Sequence, residues 1–166
     1  MDRCCDGPVT TMRQAASDFL KQRRIAVTGV SRSSADHGAN AVYVRLRDRG
    51  YEVFAVNPNA ETVEGDRAYP SLSAIEGGVD AVVVATAPSR ALATVQEASD
   101  LGIWYVWMHR GPGAGSVSPE AAALGRERGM SVLDGGCPLM FGPTSDPAHR
   151  FMCRVLTLTG AVPRSV

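Results

Sequence analysis

Two stretches, RIAVTGVSRSSADHGANAV (24–42) and YEVFAVNPN (51–59), decide the fold. The first begins as an apolar strand (Ile25, Ala26, Val27) and breaks at Gly29 into a small, polar turn before a helix. Glycine there admits a positive φ, lets backbone amides approach a phosphate, and keeps the following helix close. This is the opening of a Rossmann-like unit, although TGVSRSS lacks the full GxGxxG spacing. The second stretch qualifies the ligand. A dinucleotide unit ends its second strand in an acidic residue that holds the ribose hydroxyls, whereas this chain has Asn57-Pro58.

Working outward, apolar strands alternate with helical patterns. Strands are expected at 24–29, 51–56, 79–85 (VDAVVVA), 102–108 (GIWYVWM) and 130–134, with room for a short strand near Thr62-Val63. Between them, helices are expected over about 39–49, from Pro88 to Gly102, and from the Ser118 cap and Pro119 to Gly129. A first helix carries Met12, Ala15, Phe19 and Leu20 at helical spacing, and Asp146-Pro147 opens a last one through Leu158. The alternation predicts an α/β fold: a doubly wound parallel sheet of about five strands with helices on both faces. Right-handed crossovers favour the order 3-2-1-4-5, numbered along the chain. The chain divides into a leader (1–9), one domain (10–160) and a short tail (161–166).

With 166 residues and 45% hydrophobic content the chain can build a real core. Seventeen acidic and seventeen basic residues cancel, which gives no field to recruit nucleic acid or an anionic membrane. No apolar run approaches the ~20 residues of a membrane span. Cys4, Cys5, Cys137 and Cys153 have no metal-ligand spacing. A reduced, cytoplasmic setting is the simplest expectation.

Ligands of open α/β sheets lie beyond the carboxyl ends of the strands. Five polar ends converge there: Gly29-Val30-Ser31, Asn57-Pro58-Asn59, Thr86-Ala87-Pro88-Ser89, Met108-His109-Arg110, and Asp134 through Pro138. Each could be a plain turn. Ser31, Ser33 and Ser34 could donate hydroxyls to phosphate, with Arg32 and His37 adding charge. Pro88 and Ser89 start a second helix at the same rim, with Arg90 beside them. Trp104 and Trp107 suit packing under helices better than base stacking. His109 has no carboxylate at a partnering spacing, and Cys137 lies in no Cys-His-Asn pattern, so no catalytic residue is assigned.

The chain resembles the small, stand-alone CoA-binding domain proteins, whose fold is similar to the N-terminal domain of the succinyl-CoA synthetase α-subunit. FLKQRRIAVTGVS (19–31), RDRGYEVFAVNPN (47–59), VEGDRAYPSLSAI (63–75), GVDAVVVATAPSRA (78–91) and ASDLGIWYVWMHRG (98–111) carry the resemblance, which covers about residues 12–142. It implies a Rossmann-like domain that binds coenzyme A or an acyl-CoA, with no metal. Gly29, Val30, Ser31 and Arg32 would lie at the phosphate end, and Asn57 and Pro58 against the nucleotide or pantetheine. Thr86, Ala87, Pro88 and Ser89 would form the floor, with Met108 and His109 as the rim. The synthetase's second domain with its phosphorylated histidine has no counterpart, so the resemblance implies a binding or regulatory module with a small-molecule partner. A protein partner or a homodimer is allowed. An NAD(P)-binding redox domain is the alternative.

Overall fold

Uniformly apolar strands need cover on both faces, and the chain supplies it. The computed structural model describes residues 10–33, 38–111, 115–145, 147–160 and 162–166. The leader with Cys4 and Cys5, and Ser34, His37 and Asp146, lie outside them. The parallel strands are β1 (Arg24–Thr28), β2 (Glu52–Val56), β4 (Asp66–Tyr69), β5 (Ala81–Val84), β6 (Tyr105–Met108) and β7 (Ser131–Asp134). A two-residue strand, β3 (Thr62–Val63), runs antiparallel to β4, and the order is β3-β4-β2-β1-β5-β6-β7. Side chains of a strand alternate between faces. Ile25, Val27, Ala81 and Val83 therefore enter one core, and Ala26, Val82, Val84 and Val106 the other.

The first core is covered by α1 (Met12–Phe19) and α2 (Gly38–Asp48), with α5 (Pro147–Leu158) packed against its margin. The second is covered by α3 (Pro88–Asp100) and α4 (Pro119–Glu127). Thr11 caps α1 by accepting from the Gln14 amide at 3.2 Å, and Ser118 caps α4 from Ala121 at 3.2 Å. The doubly wound class is as expected; the strand count and order are not. Seven strands form instead of five, and the expected third strand (81–84) pairs with β1 instead of lying outside β2. The outer place is taken by β4, delivered by a tight hairpin in which Glu64 (φ 49°) and Gly65 (φ 82°) both occupy the left-handed region. Two positive φ angles match the right-handed twist of a two-residue hairpin.

The expected C-terminal tail is part of the packed structure. Val162 is buried in the first core, the Met12 amide donates to the Arg164 carbonyl, and the Val166 amide donates to that of Thr10. Trp107 is fully buried as expected, meeting Phe19 edge-on at 5.2 Å. Trp104 is not; it precedes β6 and is 51% exposed.

Candidate functional site

The order in which strands are added reverses between the parallel β1 and β5: the connection after β1 crosses one face of the sheet, and the one after β5 crosses the other. The crevice of a doubly wound sheet opens at this switch, beyond the carboxyl ends. A cleft of about 540 Å³ lies there, between the ends of β1, β2 and β4 and the first three turns of α3. Gly29 forms its base at φ 79°. A Cβ there would stand 2.5 Å from the Ala85 carbonyl oxygen, so the residue must be glycine because two backbones meet. Its amide donates to Val56 at 3.2 Å, tying β1 to β2.

Asn57 holds the adjoining loop. Its Nδ2 donates to the Val30 carbonyl at 2.8 Å, its Oδ1 accepts from the Asn59 amide at 2.8 Å, and its own amide donates to Tyr69 at 2.8 Å. The side chain thus ties the β1 and β2 loops together while still lining the cleft. Ser31 is held by a residue that sequence reasoning passed over. Asn40, buried on α2, accepts from the Ser31 amide at 2.8 Å and donates to the Ser31 carbonyl at 2.8 Å. Asn40 Nδ2 also donates to Glu64 Oε1 at 2.6 Å, so the β3–β4 hairpin braces the β1–α2 loop.

Opposite stands the start of α3. Pro88, which has no N–H, occupies its first position; the Arg90 amide donates to the Ala87 carbonyl at 2.9 Å, and Ala87 offers no side-chain cap to the Ser89 amide between them. Thr86 Oγ1 is buried beside them without a partner. Leaving such a hydroxyl unpaired costs about 1–3 kcal/mol. Arg90 is the one cation among the described lining residues. The one carboxylate, Glu97, accepts from the Ser73 amide at 3.0 Å and closes the far end. A helix N-terminus without a side-chain cap, an orphan hydroxyl and an arginine together favour an anion, such as a phosphate.

Of the twelve residues marked in the sequence, Gly29, Ser31, Asn57, Pro58, Thr86 and Ser89 line this cleft. Val30 and Met108 are fully buried, one in each core. Arg32, Ala87 and Pro88 are exposed outside the lining. His109 sits across the rim, where a Cβ on Gly38 would meet its Cε1 at 3.0 Å. Burial pushes the His109 pKa below its ordinary value, favouring the neutral imidazole. Pro70, Ser71, Leu72, Ala93 and Thr94 also line the cleft and were not singled out. The signal for Pro70 to Leu72 was the strand before them, four residues long and therefore easily overlooked.

Fold and cleft define a Rossmann-like domain with a nucleotide-sized site at its switch point. The sequence signature described as "CoA binding domain" matches residues 23–143, and the chain belongs to that family. It is 29% identical over 113 residues to the uncharacterized protein YneT of Bacillus subtilis (strain 168), covering 68% of this chain and 80% of that one. A hypothetical protein from Pyrococcus horikoshii OT3 superposes with a TM-score of 0.70 at 27% identity, over 84% of this chain and 93% of that one. A dinucleotide forming acetyl-coenzyme A synthetase of Ca. Korarchaeum cryptofilum, in complex with phosphate and ADP, shares the fold. Its TM-score is 0.56 at 22% identity, over 74% of this chain and 26% of that one.

Proposed function

We propose that the cleft binds coenzyme A, free or acylated, and that the chain acts as a non-catalytic binding or regulatory module. The observation that carries the reading is Asn57. Its side-chain amide donates to the Val30 carbonyl and its side-chain oxygen accepts from the Asn59 amide, so the β2 end is held by a neutral side chain and offers no carboxylate to ribose hydroxyls. Coenzyme A carries a 3′-phosphate on that ribose, which a carboxylate would repel. In this reading Thr86, Ser89 and Arg90 take phosphate oxygens at the α3 N-terminus, and Gly29, Ser31 and Pro58 lie against the rest of the nucleotide. Binding without turnover is supported by the buried Cys137 thiol, since thiol chemistry needs an accessible sulfur. The cysteine pattern supports a cytoplasmic setting. No helix among the described residues is long and apolar enough to cross a membrane.

A thermal-shift series with CoA, dephospho-CoA, acetyl-CoA, NADH and NADPH tests this. A shift with CoA, reduced for dephospho-CoA, is the expected result. No shift with either CoA species, together with one for NADH or NADPH, would replace the reading with a redox one.

A further inference from the structure

A second and larger concavity lies on the opposite face of the sheet. A groove of about 940 Å³ runs between α1 and α5, over the turn that follows β7. Its floor is apolar and buried: Met12, Leu20, Met140 and Val162. Its rim is cationic and exposed: Arg13, Lys21, Arg150, Arg154 and Arg164. No acidic residue is among the described lining residues. Lys21 pairs with Asp18, but the four arginine side chains make no ion pair among the described residues. One end is shut, because the backbone at 164–166 bonds to that at 10–12.

Arg150 and Arg154 stand one turn apart on α5 and both line the groove. Like charges at this spacing repel, and α5 (PAHRFMCRVLTL) contains no acid to relieve them. An anion between them would. A volume within the small-ligand range, an apolar floor and a closed end fit a flexible hydrocarbon tail. Two guanidinium groups fit a carboxylate head, which arginine binds through paired hydrogen bonds.

We infer that this groove binds a long-chain fatty carboxylate, with its head at Arg150 and Arg154 and its tail directed over Met140 toward Met12 and Val162. The site is separate from the CoA cleft and stands or falls independently of it.

Methionine methyl NMR reads the groove directly, since Met12 and Met140 line it, while Met108, buried in the opposite core, serves as an internal reference. Dodecanoate, titrated below its micelle concentration, is expected to shift the Met12 and Met140 methyls saturably and leave Met108 in place. Each methylene added from octanoate to dodecanoate should tighten binding by up to about fourfold. Arg150→Gln/Arg154→Gln, both at exposed positions, should weaken it at least tenfold without changing the apo spectrum. Dodecyltrimethylammonium binding as tightly as dodecanoate would overturn the assignment. So would unmoved groove methyls, or the same shifts produced by protein concentration alone, which would give the groove to a second copy.

Discussion

Gly29 and Asn57 carry opposite kinds of information. Gly29 is legible as a special position from sequence, but its cause is not: the Ala85 carbonyl it touches is 56 residues away in the chain and invisible before folding. Gly29→Ala should lower stability by more than about 2 kcal/mol, since a left-handed residue alone costs about 1–2 and the backbone clash adds to it. Urea unfolding measures this. Asn57 reads as an absence of acid, and the structure gives it a positive task. Asn57→Asp loses the donor to Val30 and places a carboxylate by that carbonyl; a cost of about 1–3 kcal/mol is expected, with no gain of NADH binding by titration. Arg90→Gln should leave stability unchanged and weaken CoA about tenfold by calorimetry, the worth of one charged hydrogen bond. His109 sets an acid limb. Because burial lowers its folded pKa, the unfolded chain binds the proton first. Its stabilising contribution is full above about pH 6.5 and is lost as pH falls below that. His109→Gln should flatten this part of the slope in urea midpoints measured between about pH 7.5 and 5.

β1, β2, β5, β6 and β7 were legible because each carries an apolar run, longest in β1, β5 and β6, which are buried on both faces. The β3–β4 hairpin was half legible: Thr62-Val63 stood out, whereas DRAY (66–69) has a single fully buried residue, Ala68, and no period-two pattern. What holds β4 in place lies elsewhere in sequence. Asp66 accepts from Tyr43 Oη at 2.9 Å and pairs with Arg47, fastening the edge of the sheet to α2. That guanidinium, followed by the Tyr43 hydroxyl, holds the Asp66 carboxyl below the usual range. Its contribution is present above about pH 4 and lost as pH falls through the folded value. Asp66→Asn should cost no more than about 1 kcal/mol, since the pair is half exposed and screened. Because this hairpin braces Asn40 through Glu64, the same variant should also loosen the Ser31 loop, read as faster amide exchange at Ser31. The twelve marked positions split for a related reason. Sequence places a residue at a strand end but does not say which face of the sheet it serves. Val30 and Met108 alternate into cores, while the cleft draws instead on Ser71, Arg90 and Thr94.

At the scale of the whole molecule the sheet separates two concavities, so occupancy of one need not alter the other. CoA at a hundredfold excess over its Kd should stabilise the fold by about 2.7 kcal/mol, a rise of about 5–10 °C in Tm for a chain this size. Topology was the hardest property to read. Placing 81–84 beside β1 depended on recognising a four-residue strand that takes the outer position first. The antiparallel bridge between Thr11 and Ser165 has one more consequence. It puts residues 10–12 beside residues 164–166, so a chain shortened to begin at Thr10 and joined to Val166 by a short linker would close into a ring. Reopening that ring at the exposed Gly102 turn, on the side of the sheet away from the cleft, would give a circular permutant. That rearranged chain should still melt cooperatively and still recognise the same ligands, which would locate the folding information in contacts between elements instead of in their serial order.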